Sequence, residues 1–168
     1  MWNDTLLEAI RIAPPGELDF RNIGLGQHLL VDDDSRLKVF TQLRDTIKYR
    51  MLAERAAIAD EIAARTGLGS ECKLMMTRSE LTELKHMGMD IGGHTVMHPI
   101  LSTLDNPKAA TEICDGREQL AQWLGEPPEV FAYPNGSPGR DYTRRDVELV
   151  KAAGYRAAVA VKRGYSNI

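Results

Sequence analysis

Two histidines four residues apart are the strongest indication of chemistry in this sequence. The stretch GGHTVMHPIL contains His94 and His98, two of only 4 histidines among 168 residues. Two neutral imidazoles at this spacing can point at one position, and their nitrogens are common ligands of divalent metals. The spacing therefore predicts a metal site, and a pair of loop histidines that only form hydrogen bonds is the alternative. Gly92 and Gly93 allow the backbone to approach a ligand closely.

A second irregular loop, FAYPNGSPGRDY, follows the next predicted strand. Pro134, Gly136, Pro138 and Gly139 make this loop stiff and non-repetitive. Backbone N–H groups held in such a loop can stabilise a developing oxyanion. An ordinary surface turn is the alternative interpretation.

The elements that position these two loops alternate between helix and strand. Thr77 and Glu80 predict a capping box before the strand MDIGG. Asn106 as N-cap and Pro107 at the first helical position predict a helix before EVFAYP. Thr143 predicts the cap of a third helix before YRAAVAV. The apolar positions of the three helices are predicted to face inward: Leu81, Leu84, Met87, Ala110, Ile113, Cys114, Leu120, Ala121, Leu124, Val147 and Val150.

Three repeats of helix, glycine and strand predict an α/β fold. Such alternation is typical of parallel strands covered by helices. The strands are short and apolar on both faces, as buried parallel strands are. A (β/α) barrel, or a part of one, fits this pattern. Both candidate loops follow strands, which is where parallel α/β folds place their functional residues.

The first 70 residues differ from the α/β core predicted for residues 71–168. They are predicted to form a helical segment, with a short helix over NDTLLEAIRI and a loop over APPGELDFRNIGLGQ. Two more helices are predicted between Ser35 and Gly67, broken near Tyr49 to Leu52, and HLLV is the only candidate strand. The GLG triplet lacks the third glycine of a dinucleotide fingerprint and is predicted to be a turn. Both segments are expected to form one structural unit.

Composition excludes several classes of function. The net charge is -3 and no block of Lys or Arg stands out, which argues against a nucleic-acid or anionic-membrane partner. No apolar run is long enough to span a bilayer. The start, MWNDTLLEAIR, is acidic and amphipathic, so we expect no signal peptide and a cytoplasmic location. Cys72 and Cys114 form no CxxC pair and are predicted to be reduced core thiols.

The two candidate loops together resemble motifs of the polysaccharide deacetylase family, the chitin-deacetylase-like carbohydrate esterases. HTVMH matches the family's H-[ST]-x-x-H metal motif, and FAYPNG matches its next motif, usually R-x-P-[YFW]-G. GGHTVMHPILSTLD is especially similar to bacterial members linked to exopolysaccharide. The resemblance extends from about Lys73 to Gly164. Residues 1–70 resemble more loosely a helical insert that such members carry.

This resemblance implies a partial or distorted (β/α) barrel and a metal-dependent hydrolase that removes N- or O-acetyl groups from a carbohydrate. His94 and His98 would bind a divalent metal, with zinc as the first candidate. Thr95 would tie the metal loop together, and the backbone N–H of Asn135 would bind the oxyanion. Substrate contacts would come from the remaining residues of the second motif: Tyr133, Pro134 and Gly136.

The sequence also departs from the family pattern. The T-F-D-D motif, which supplies the general base and the third metal ligand, has no clear match. VDDD (Asp32 to Asp34) resembles it, so Asp33 is a candidate base, but a helix follows at once and favours an N-cap and first turn. Ala132 stands where the family has arginine, and the late leucine-histidine motif is absent.

These departures leave two hypotheses. The chain is a deacetylase segment whose aspartates come from its parent or a partner, or it is a non-catalytic deacetylase-like domain. In either case we expect the isolated chain to bind metal weakly and to be a poor deacetylase. A parallel sheet of about three strands leaves unpaired edges and an uncovered apolar face. A homo-oligomer is therefore expected, most simply a two-fold dimer joined by an edge strand or the N-terminal helices.

Overall fold

The computed structural model describes residues 1–69 and 75–161 and divides the chain into two compact units. The N-terminal unit is Met1–Met75, and the C-terminal unit is Met76–Ile168. The predicted boundary between residues 70 and 71, and the thiol of Cys72, lie outside the described residues. The expectation that both segments act as one structural unit stays a prediction.

The N-terminal unit packs three helices around one hydrophobic core. Its elements are α1 (Trp2–Ile12), β1 (Gly16–Asp19), β2 (Gln27–Leu30), α2 (Asp33–Ile47) and α3 (Leu52–Thr66), with a 3₁₀ turn at Arg21–Ile23. The first helix and the pair of helices predicted between Ser35 and Gly67 are confirmed. The core includes Leu6, Ile10, Leu30, Leu43 and Ile62.

The loop predicted over APPGELDFRNIGLGQ is wrong in part, because β1 lies inside it. This strand pairs antiparallel with β2, which confirms the candidate strand HLLV. Only Leu18 of β1 is buried, so no apolar alternation marks this strand in the sequence. The turn predicted at GLG is confirmed by left-handed Gly24 and Gly26, with φ of 73° and 79°.

The aspartates of VDDD begin α2. The Asp32 side chain is the N-cap and accepts a hydrogen bond of 2.8 Å from the Ser35 backbone N–H. This hydrogen bond is the main reason why the pKa of Asp32 is lowered. Asp33 and Asp34 follow in the first turn, where carboxylates interact favourably with the helix dipole. The capping interpretation of this motif is therefore confirmed.

The C-terminal unit alternates helices with short parallel strands. Its elements are α4 (Arg78–His86), α5 (Asn106–Leu124), β3 (Val130–Ala132), α6 (Arg144–Ala152) and β4 (Ala157–Val159). Strands β3 and β4 pair in parallel, with Phe131 opposite Ala158. The strand predicted over MDIGG is reduced to one parallel bridge, between Gly93 and Phe131.

The described strands form two separate two-stranded sheets and no closed barrel. The fold is mixed α/β. The strands were predicted to be buried on both faces, and this prediction is wrong for the described strands. Phe131 of β3 is fully buried against the helices, whereas all three residues of β4 are exposed. Val130 and Val159 are 39% and 56% exposed, so the described residues leave one face of this sheet uncovered.

The helix caps agree with the predictions at most positions. Thr77 and Glu80 form the predicted capping box. Helix α5 starts one residue earlier than predicted, because the Asp105 carboxylate and not Asn106 accepts the Lys108 N–H. Met87, predicted to face inward, is 73% exposed. No helix in the described ranges is both long enough and apolar enough to cross a membrane.

Candidate functional site

The backbone of the two candidate loops is strained. Among the described residues, the non-glycine positions with positive φ are Thr95, His98 and Asn135, at 64°, 54° and 61°. All three belong to the two motifs singled out in the sequence. A β-branched residue such as Thr95 rarely adopts the left-handed conformation. Strained residues of this kind persist only where their surroundings fix them, and they cluster at functional sites.

The first imidazole is fixed by strand β3. Gly93 donates its N–H to the Val130 carbonyl and accepts from the Ala132 N–H, both at 2.8 Å. The Nδ1 atom of His94 lies 2.7 Å from the Ala132 carbonyl oxygen. A carbonyl only accepts, so Nδ1 is the donor, and in the neutral ring the lone pair is then on the Nε2 atom. This is the arrangement that orients histidine ligands in metal sites.

The second imidazole lies beside the first. The ring centroids of His94 and His98 are 4.7 Å apart, in an edge-to-face arrangement. The His98 backbone N–H donates to Thr95 Oγ1 at 3.1 Å, and this hydroxyl donates in turn to the His94 carbonyl. Both histidine side chains are half-buried. The structure thus brings together the two predicted ligands and places the predicted Thr95 between them.

The second loop continues from β3 and is held at both ends. Tyr133 is buried, and its ring stacks on Tyr142 with centroids 3.8 Å apart. Burial raises the pKa of Tyr133 to about 12. At the other end, Gly136 accepts a hydrogen bond of 2.9 Å from the Val161 N–H. Asn135 lies between these anchors and is half-buried, next to buried Pro134.

Three residues near the histidines were missed by the sequence reasoning. Glu112 of α5 accepts the backbone N–H groups of Val96 and Met97, each at 2.9 Å. Gly116 of the same helix is buried against the Thr95 backbone. A glycine inside a helix costs about 1 kcal/mol relative to alanine, so it was the signal that could have revealed this close approach.

The third missed residue is Tyr155, which lies under the histidine loop. Its ring is buried and packs against Phe131, with centroids 5.1 Å apart. The Tyr155 hydroxyl is so close to Gly93 that a Cβ atom there would overlap it. Burial raises the pKa of Tyr155 to about 12.

An open cleft of about 720 Å³ lies beside the histidine loop. The uncovered sheet face lines it through Val130, Ala132 and Val159, and His94 stands at its border. Ion pairs occupy the rim, with Lys85 to Glu126 at 2.8 Å and Arg156 to Glu129 at 2.9 Å. The cleft therefore combines an apolar floor with a charged margin.

Other candidate residues belong to other elements of the chain. Asp33 lies in the first turn of α2, in the N-terminal unit. His28 lies on β2, with Nε2 2.7 Å from the Leu25 carbonyl, and His86 is exposed at the end of α4. Cys114 is a free thiol. Within the described ranges, no three or more His, Cys, Asp or Glu side chains cluster as a metal would require.

The two imidazoles fit two positions of a metal site and leave its other positions to be filled. Protein zinc sites normally use three or four side-chain ligands, and two histidines with one carboxylate is a known catalytic set. The hydrogen bond between Nδ1 of His94 and the Ala132 carbonyl already orients this imidazole, as in histidine ligands of metal sites. The donor set of the C-terminal unit is therefore compatible with a divalent metal but incomplete by itself.

Two comparisons with known proteins found a match. The solved structure of the Streptococcus pyogenes deacetylase PplD in complex with acetate is similar, with a TM-score of 0.50 and 27% sequence identity. The match covers 59% of this chain and 41% of that chain, so this chain spans less than half of its neighbour's length. No curated protein sequence matches the chain. The sequence profile described as polysaccharide deacetylase matches residues 32–158, well over half of the chain. This chain therefore belongs to the polysaccharide deacetylase family.

Proposed function

We propose that the chain carries the histidine pair and the oxyanion loop of a metal-dependent hydrolase that removes N- or O-acetyl groups from a carbohydrate. The observation that carries this proposal is the pairing of His94 and His98, with ring centroids 4.7 Å apart, directly after the parallel bridge between Gly93 and Phe131. Family membership gives the reaction class, and the similar PplD deacetylase is described in complex with acetate.

His94 and His98 would hold a divalent metal, with zinc as the first candidate. Such an ion polarises a carbonyl and lowers the pKa of a bound water. The Ala132 carbonyl keeps His94 in the tautomer whose Nε2 atom can bind the ion. Thr95 keeps the second imidazole beside the first through the His98 N–H.

The second loop would supply the oxyanion site. Asn135 has a φ of 61°, which turns its peptide group away from the direction that a strand would give it. We propose that its N–H faces the acetyl oxygen as negative charge develops there. Pro134 and Gly136 hold the loop shape, and the uncovered cleft beside His94 would receive the sugar. Buried Tyr133 would support this loop and border the substrate.

The remaining metal ligand and the general base would be carboxylates from outside the C-terminal unit. The described residues of that unit offer no third ligand beside the histidines. Asp33 is the candidate within this chain, although its place in a helical first turn suits capping better. We propose further that the C-terminal unit forms part of a distorted (β/α) barrel, whose other strands would cover the exposed face of β3 and β4.

A metal titration of the full chain tests this proposal. Zinc binding measured by calorimetry should weaken at least tenfold in His94→Ala and in His98→Ala, because each removes one of two ligands. His86→Ala is the matched control, since His86 is an exposed histidine of the same unit. Equal binding by all three variants and the wild type would contradict the proposal.

An acetate-release assay on acetylated sugar oligomers tests the catalytic part. We expect slow turnover by the isolated chain, lost in both site variants and kept in His86→Ala. Asp33→Asn should leave this rate unchanged if Asp33 only serves its helix. Robust turnover that Asp33→Asn abolishes would instead identify Asp33 as the base.

A further inference from the structure

We infer that Glu112 is a positioning residue, which holds the loop between the two histidines and thereby sets the separation of their imidazoles. The inference rests on the proposed function, because it concerns the same site. Glu112 lies on α5, 14 residues beyond His98 in the sequence. Its side chain is half-buried and lies against the loop at residues 95–98.

The contact is a carboxylate that accepts two adjacent backbone N–H groups. One oxygen, Oε2, lies 2.9 Å from the Val96 nitrogen and 2.9 Å from the Met97 nitrogen. Hydrogen bonds to an ionised acceptor are about twice as strong as neutral ones. Two consecutive N–H groups can converge on one oxygen only when the backbone turns sharply. Glu112 therefore favours the turned conformation of the loop over an extended one.

The conformation that Glu112 favours is the strained one. Thr95, directly before the two donors, has a φ of 64°, and His98, directly after them, has a φ of 54°. Such positions are unfavourable for residues other than glycine and need surroundings that fix them. The Thr95 hydroxyl contributes one internal hydrogen bond, from the His98 N–H. Glu112 contributes two more from outside the loop, which it accepts from Val96 and Met97.

A second residue of α5 brings the helix close enough for this contact. Gly116 is four residues after Glu112, so both lie on the same face of the helix. A Cβ atom at Gly116 would stand 3.2 Å from the Thr95 carbonyl carbon and 3.3 Å from its oxygen. The backbone of the loop therefore rests directly on the helix at Gly116. Gly116 keeps the distance between α5 and the loop short, and Glu112 fixes the orientation of the loop.

The helix itself is a rigid base. Asp105 caps its start, Gly125 ends it, and Ile113 is fully buried in the core of the C-terminal unit. Metal ligands positioned by rigid elements keep their geometry better than ligands on unsupported loops. Helix α5 thus connects the packing of the core to the positions of His94 and His98.

Three variants of the full chain test this role. Glu112→Ala removes the acceptor, and Glu112→Gln keeps one uncharged side-chain oxygen in its place. Glu118→Ala is the matched control, because Glu118 is an exposed glutamate on the same helix. Amide hydrogen exchange of Val96 and Met97 is measured in metal-free protein, together with the ring-to-ring nuclear Overhauser effect of the two histidines. Zinc affinity is measured on the same samples.

In Glu112→Ala we expect the two amides to exchange roughly tenfold faster or more, the ring-to-ring signal to weaken, and zinc affinity to fall roughly tenfold or more. Glu112→Gln should recover most of the amide protection and part of the affinity, and Glu118→Ala should match the wild type. Unchanged exchange and an unchanged ring signal in Glu112→Ala would overturn the inference. If Glu112→Ala does not fold, amide exchange that is faster than in the wild type, together with weaker zinc affinity, in folded Glu112→Gln supports the role, and wild-type exchange with wild-type affinity there overturns it.

The metal-free measurements separate this inference from the proposed function. If the wild type binds no zinc through His94 and His98, the proposed function fails, but faster amide exchange in Glu112→Ala still supports loop positioning. If the wild type binds zinc and Glu112→Ala binds it equally well, with the same exchange rates, then only the role of Glu112 is refuted.

Discussion

Replacing Gly93 by alanine should destabilise the C-terminal unit and displace His94. The backbone of Gly93 lies outside the left-handed region, so alanine meets no conformational penalty there. The obstacle is space. A Cβ atom at this position would overlap the Tyr155 hydroxyl and lie 2.7 Å from Cζ and 2.9 Å from Cε1 of the same ring.

Neither partner can move without cost. Tyr155 is 5% exposed and packs against Phe131, while hydrogen bonds of 2.8 Å on both sides hold Gly93 to β3. Overpacking a filled core typically costs about 1–3 kcal/mol, and an overlap with the hydroxyl oxygen and two ring atoms belongs at the upper end. We therefore expect Gly93→Ala to lower the free energy of unfolding of the C-terminal unit by about 2–3 kcal/mol. For a domain of 60 to 100 residues this lowers Tm by roughly 10–20 °C.

Thermal unfolding followed by circular dichroism measures this change, and Gly92→Ala is the control. A Cβ atom at Gly92 would stand 3.1 Å from the Val130 carbonyl oxygen, which is a much milder contact. Tyr155→Leu removes the ring atoms in question, so Gly93→Ala should cost about 2 kcal/mol less in that background than in the wild type. The reasoning is refuted if Gly93→Ala is as stable as Gly92→Ala, or if the two substitutions at positions 93 and 155 are additive.

The remaining predictions concern single groups. Tyr155→Phe should leave stability unchanged or raise it by about 1 kcal/mol in denaturant unfolding, because the buried hydroxyl has no hydrogen-bond partner among the described residues; a clear loss would contradict this. The hydrogen bond from the Lys108 N–H is the main cause of the lowered pKa of Asp105. The stabilisation from the Asp105 cap should therefore be complete above the pKa that Asp105 has in the unfolded chain. It should vanish as pH falls through the lowered pKa of the folded state. The stability difference between wild type and Asp105→Ala should therefore shrink in acid, and a constant difference would be evidence against this linkage. The exposed strand β4 predicts self-association, so sedimentation at micromolar concentration should show a dimer, and a stable monomer would argue against it.

Local patterns in the sequence predicted much of the fold. The helices of both units were predictable because capping residues and apolar periodicity act within a few residues of the chain. Asp32, Thr77 and Thr143 begin helices for this reason. The spacing of His94 and His98 likewise indicated a shared site, because a turn of four residues brings two side chains within reach of each other.

Contacts between distant segments were decided only by the tertiary structure. Strand β1 has one buried residue, so its pairing with β2 leaves no periodic signal. The exposed face of β4 contradicts its apolar sequence, because exposure depends on what packs against a strand and not on the strand itself. Glu112 and Tyr155 contact the histidine loop from positions that are 14 residues or more further along the chain. The sequence by itself determined the two motifs of the candidate site. The strained geometry of the histidine loop was determined by the packing of α5 and β3 against it, because these supporting contacts join segments that only folding brings together.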